Sequence, residues 1–263
     1  TAMAALEGHI NRKDDAQIKA LFDIAGNPKT PGEVLDQAFR RIKELPRDKV
    51  IEQLYGFFES SDWKLRRLAG ATVLSMSEVK HIDEFMDALA KRATKNFNLP
   101  EAITYGAYLG ALKEGDPAAK LEPHMRSGPP QVRMSAISYF YDFGTKHELN
   151  KLDPFLNDGT KAPTCEEEAG CDWTCLIDDP EAPKPKPANE GEEKKEPKEG
   201  EEAPQPKKVA KEVNTVGDFV RYCIRPKVEK TDKKKETDKD AKKGQDTKGT
   251  EEGKKEGGSD DSK

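Results

Sequence analysis

The chain has 263 residues, of which 34% are hydrophobic and 36% charged, with a formal net charge of −5. That balance argues against a nucleic-acid binder, which needs a basic face, and no run of roughly 18 apolar residues exists that could cross a bilayer as a helix. The averages conceal a division near residue 160, apolar and periodic before it and mostly Lys, Glu, Asp, Pro and Gly after it, so about 150 residues must supply the core.

Residues 16–25 place Ile18, Leu21, Phe22 and Ala25 at helical i, i+3, i+4, i+7 spacing. Gly26-Asn27-Pro28 ends this helix, and Thr30-Pro31 opens the next, with Thr30 as N-cap and Pro31 at the first helical position. Its inward stripe is Val34, Leu35, Ala38, Phe39, Ile42 and Leu45, and Pro46 closes it. Residues 48–59 follow with Val50, Ile51, Leu54, Phe57 and Phe58, and Ser61-Asp62 caps a helix starting at Trp63. Further helices are expected at 64–76, 79–93, 100–113, 118–126, 131–143 and 146–156, with turns at Gly115-Asp116-Pro117 and Gly128-Pro129-Pro130. No segment reads as a strand.

Two of these stretches, 61–89 and 128–156, are copies of one another. Leu65 falls on Val132 at an offset of 67 (132 − 65), and at that offset Arg66 meets Arg133, Ala69 meets Ala136, Val73 meets Phe140 and Phe85 meets Leu152. Weaker copies fit at 31 (Val34 on Leu65, Ala38 on Ala69) and 38 (Ala69 on Ala107), so the repeat is 30–38 residues long. Helical hairpins of that period cannot each bury their own apolar face, and stacked they share one core as an α-solenoid.

Gln131-Val132-Arg133-Met134-Ser135-Ala136, after the turn Gly128-Pro129-Pro130, and Lys64-Leu65-Arg66-Arg67-Leu68-Ala69 carry a Val/Leu-Arg-x-x-Ala opening. That pattern resembles the HEAT-repeat family over roughly residues 14–157. The resemblance implies an all-α, right-handed α-α superhelix of about four helical hairpins. It also implies that Arg66 and Arg133 tie neighbouring repeats together through carboxylates or carbonyls. Tyr105, Tyr108 and Tyr141 fall partly off the core stripe, and on the inner helix row they, with Arg67, would suit a partner-binding face.

The expected division is a solenoid at 1–157, a Cys-rich loop at 158–179, a disordered Pro/Lys/Glu linker at 180–212, a capping helix at 213–226 and a disordered tail at 227–263. From Pro226 onward 12 Lys stand against 11 Asp plus Glu, a polyampholyte rather than a basic arm. In the capping helix Thr215 and Asp218 form a capping box, Val216, Phe219, Val220, Cys223 and Ile224 make one apolar face, and Pro226 ends it. So short a helix needs a partner for that face; the last hairpin of the solenoid is the nearest, and a different protein is the alternative.

All four cysteines, Cys165, Cys171, Cys175 and Cys223, follow the repeats and read as two disulfides in one of three connectivities, which implies an oxidising, periplasmic or otherwise extracytoplasmic compartment. A zinc site is the competing reading, and its spacing is a poor match. Glu166-Glu167-Glu168 with Asp172 could hold a divalent cation weakly, though such loops are usually just solvated. His9, His81, His124 and His147 are scattered, and no phosphate loop, metal motif or nucleophile motif appears, so no cofactor and no catalytic residue is expected. The chain begins at Thr1 without a signal-like segment, which leaves a removed signal or lipid anchor and a fragment boundary both open. The expectation is a non-enzymatic protein-interaction or scaffold module of a bacterial cell envelope. The alternatives are a HEAT-like lyase or glycosylase and an envelope spacer acting through its tail.

Overall fold

A computed structural model describes residues 14–93, 97–126, 128–163, 173–178 and 208–231. The helices in chain order are α1 (Asp15–Ala25), α2 (Gly32–Ile42), α3 (Arg47–Gly56), α4 (Trp63–Ser75), α5 (Ile82–Arg92), α6 (Leu99–Gly110), α7 (Pro117–Arg126), α8 (Pro130–Ile137), α9 (Tyr139–Phe143) and α10 (Leu149–Leu152). Two strands follow, β1 (Thr174–Asp178) and β2 (Lys208–Glu212). The last helix, α11, begins as Val216–Phe219, passes through a π segment at Val220–Ile224 and continues over 225–231.

Local chemistry sets where these helices start. Asp14 accepts from the Ala16 and Gln17 amides, and Asp62 from the Lys64 amide. At α6, Asn98 and Glu101 exchange side-chain and backbone bonds as a capping box. Thr30 does something else than expected. Its hydroxyl donates to the Ile24 carbonyl at 2.6 Å and fastens the α1–α2 turn, while Pro31 takes the N-cap position.

Among the described residues the molecule is all-α apart from its two-stranded sheet, and its helices form two rows. One row holds α1, α3, α5, α7 and α10, whose first residues (15, 47, 82, 117, 149) lie 32, 35, 35 and 32 positions apart. The other holds α2, α4, α6 and the α8–α9 pair, each packed on the next. Close approach within this second row needs glycine: a Cβ on Gly70 would collide with the Tyr105 ring, and one on Gly106 with the Ser138 backbone. Between the rows runs one core, in which Phe58, Phe85, Phe97 and Tyr105 meet edge-on, stacked or tilted at centroid distances of 5.4–6.3 Å.

The terminal helix belongs to this pattern. Helix α11 packs on α8 and α9 and so continues the second row, burying Val216, Phe219, Val220, Cys223, Ile224 and Val228. Its hairpin partner is α10, which arrives on schedule at residue 149. Where the fourth hairpin crosses from Arg126 to Pro130, the fifth leaves α10 and does not begin α11 until Val216. The excursion is closed at its base: the Ala162 amide donates to Asn214, the Val216 amide to Thr160 and the Gly217 amide to Asp158, each at 2.9 Å. Beyond that base, β1 and β2 pair antiparallel from Thr174↔Glu212 to Asp178↔Lys208.

Three expectations are corrected here. Residues 174–178 and 208–212 are strands, although the second lies in a stretch read as disordered linker. They escape a periodicity search because five residues apiece, one of them Lys208-Val209-Ala210-Lys211-Glu212, carry too little alternation. The capping helix does not stop at Pro226 but runs to Thr231. Proline removes an N–H and crowds the carbonyl four residues back. The π segment widens the turn ahead of it, with the Arg225 amide donating to Val220 five residues back. Finally, the helix expected at 131–143 breaks at Ser138, whose hydroxyl bonds the Met134 carbonyl at 2.7 Å. The linker at 180–207 and the tail at 232–263 lie outside the described residues.

Candidate functional site

The two repeat arginines do the same mechanical work with different partners. Arg66 is buried, and its Nε and Nη2 donate to the Glu101 carboxylate at 2.9 and 2.8 Å. Its Nη1 donates to the Ser60 and Ser61 carbonyls at 2.8 and 3.1 Å. Burial pushes the Glu101 carboxyl up to about 7, against the opposing pull of Arg66 and of the Asn98 amide. Arg133, two repeat units later, donates to the Met125 carbonyl, the Thr160 hydroxyl and the Asp158 carboxylate. Arg66 thus clamps α4 to α6, and Arg133 clamps α8 to the base of the excursion. Neither is free to meet a ligand.

Tyr105 must be withdrawn from the binding face. It is fully buried, its ring packs on Gly70 and its hydroxyl donates to the Arg66 carbonyl at 2.9 Å. The tyrosine sits one helical step from Tyr108, and the small Gly70 on the facing helix lets it turn inward. Tyr108 itself is half-buried and lines a cleft of about 210 Å³ across the second row. Asp36, Phe39 and Arg40 of α2 line it with Lys43 at that helix's end, and Leu68 of α4 lines it as well. Asp36, Arg40 and Lys43 did not stand out in the sequence, yet their i, i+4, i+7 spacing is a polar edge running beside the Phe39 stripe.

Arg67 and Tyr141 are placed elsewhere. The Arg67 guanidinium stacks over Trp63, 5.7 Å from its ring centroid, and its Nε is buried without a hydrogen-bond partner. Tyr141 is half-buried, with the Lys227 ammonium of α11 5.0 Å from its ring centroid. The structure therefore leaves Tyr108 on the cleft, sets Arg67 against Trp63 and covers Tyr141 partly with the terminal helix.

Cys175 and Cys223 form a disulfide with Cα atoms 5.5 Å apart, joining β1 to α11 across 48 positions. Both sulfurs are thereby withdrawn from any zinc site. Cys165, Cys171, Glu166, Glu167, Glu168 and Asp172 lie outside the described residues. Among the described residues no group of three or more His, Cys, Asp or Glu converges, and no helix is long and apolar enough to cross a membrane. His81 caps a turn by accepting from the Glu78 amide at 3.0 Å, and His124 lies 2.8 Å from Asp83. Compared with known proteins, the chain matches no family model, no curated protein and no solved structure.

Proposed function

We propose that the chain is a HEAT-like, non-enzymatic interaction module of the cell envelope, which takes a segment of a protein partner on the face of its second helix row. The observation that supports this is the cleft at Tyr108. It offers apolar anchorage from Phe39, Leu68 and the Tyr108 ring, and its rim carries Arg40 and Lys43 against Asp36 alone. Tyrosine in a half-buried position supplies large contact area at low entropic cost, and arginine beside it supplies forked hydrogen bonds. The chemistry suits a segment with an apolar side chain flanked by a carboxylate. The Cys175–Cys223 disulfide supports an oxidising compartment, periplasmic or otherwise extracytoplasmic.

The test is capture of a partner from envelope extract by the full chain, with Tyr108→Ala and Arg40→Glu as comparison baits. Both positions are at the surface of the cleft, so melting temperatures should stay within about 2–4 °C. A genuine partner is retained by the wild type and lost by both variants. Equal retention by all three, with loss only on removal of residues 232–263, would transfer the binding to the tail.

A further inference from the structure

A second surface lies on β1, along the Leu176–Asp178 edge that pairs with no strand among the described residues. The register fixes which backbone groups are exposed there. The Val213 amide donates to the Trp173 carbonyl at 2.7 Å, and the two residues are directly opposed when the β1–β2 register is continued by one step. Trp173 is therefore in a hydrogen-bonded pair, and since such pairs alternate along an antiparallel ladder, Cys175 and Ile177 also face β2. Leu176 and Asp178 turn their N–H and C=O the other way.

Among the described residues that edge carries neither lysine nor proline. Strand edges are commonly blunted by lysine or proline, and β2 carries Lys208 and Lys211, while β1 reads Thr174-Cys175-Leu176-Ile177-Asp178. Leu176 is 67% exposed, the large hydrophobic side chain left in solvent among the described residues. Alongside runs a groove of about 520 Å³ between β1 and α11, walled by Leu176 and Ile177 on one side and Tyr222 and Pro226 on the other. None of its lining comes from β2, so it opens on the free edge.

We infer that this edge is a strand-addition site for an extended, uncharged peptide segment with β-branched or other apolar residues at alternate positions. The exposed backbone of Leu176 and Asp178 would supply the ladder bonds, and the Ile177–Tyr222–Pro226 wall a pocket for alternate side chains. Charge complementarity selects an uncharged strand. Each charged group on the rim already has a partner: Lys230 with Asp178 at 2.7 Å, Glu229 with Arg225 at 3.0 Å and Arg221 with Asp218 at 3.2 Å. This site is independent of the Tyr108 cleft.

The experiment titrates the full oxidised chain, ¹⁵N-labelled, with a panel of end-capped heptapeptides alternating threonine with valine, isoleucine or leucine, and follows amide hydrogen exchange. Binding at the edge slows exchange of the Leu176 and Asp178 amides at least tenfold and leaves the Ile177 amide, already in the ladder, unchanged. Leu176→Pro removes an outward N–H together with the Leu176 side chain and weakens binding at least tenfold. N-methylating alternate residues of the bound peptide does the same on the wild-type chain, so the test stands even where the proline variant folds poorly. The proposal is overturned if no peptide of the panel protects these amides, or if N-methylation leaves binding intact. Protection of the same amides by raised protein concentration alone would also overturn it, because the occupant would then be a second copy.

Discussion

Arg133 donates to the Asp158 carboxylate in the place where, two repeat units earlier, Arg66 donates to Glu101. The earlier acceptor lies on the next helix of the row. The later one lies at the start of the excursion, immediately before the bonds that bring α11 in. The same tie is thus used twice, once between consecutive repeats and once to hold the base of a fifth hairpin whose second helix comes late in sequence.

The inner tie is the costlier one to break. Truncating Arg66→Ala leaves the Glu101 carboxyl buried without its cation, and losses of about 3–5 kcal/mol are typical of that change. Replacing both partners, Arg66→Met with Glu101→Leu, removes the charge problem and should cost distinctly less. Urea denaturation of the three proteins measures the difference, and equal destabilisation by the single and double variants would deny that burial of charge is the reason.

The same pair gives stability a pH dependence of unusual sign for a carboxyl group. Glu101 titrates near 7 when folded and near 4.3 when unfolded, so between those values the folded state holds the extra proton. Its contribution to stability therefore grows as pH falls from about 7 towards about 4.5, by about 1–3 kcal/mol, and is lost as pH rises through 7. Unfolding free energies of wild type and Glu101→Gln across pH 5–8 isolate this group, since the variant lacks the dependence. Parallel curves would show that the carboxyl does not titrate there.

The disulfide should matter mainly through the unfolded chain. Cys175 and Cys223 close a loop of 48 positions, for which loop entropy alone gives about 4 kcal/mol. The double variant Cys175→Ala with Cys223→Ala should melt well below the oxidised wild type, with amide exchange accelerated first across residues 216–231. Exchange in that helix unchanged from wild type would mean that packing on α8 and α9 alone holds it.

Much of the architecture is legible in the sequence because it rests on local repetition. The 67-residue offset marks α4 with α8 and α5 with α10, and the apolar face of 216–224 marks a helix in need of a partner. What is not legible follows from geometry that no period encodes. Tyr105 and Tyr108 look alike on a helical wheel, and Gly70 on another helix decides that the first is buried. The strands are too short to announce themselves, and the π turn that carries α11 past Pro226 has no period to mark it.

If residues 163–213 are an insertion into one hairpin, they should be removable. Joining 162 to 214 through two glycines, with Cys223→Ser, keeps the base pairing of Lys161 with Thr215. The shortened chain should unfold in one transition and keep residues 216–231 protected, though below the wild-type melting temperature. Loss of protection confined to that helix would show that the excursion, not the row, holds it in place.

The central claim is that partners meet this molecule at the Tyr108 cleft, and site-specific photocrosslinking in intact cells tests it most directly. A benzophenone amino acid at position 108 or 40 should yield one discrete adduct with another protein, and the same probe at Glu52, on the other helix row, should yield none. Adducts from position 52 or from residues 232–263 with nothing from 108 or 40 would contradict the account.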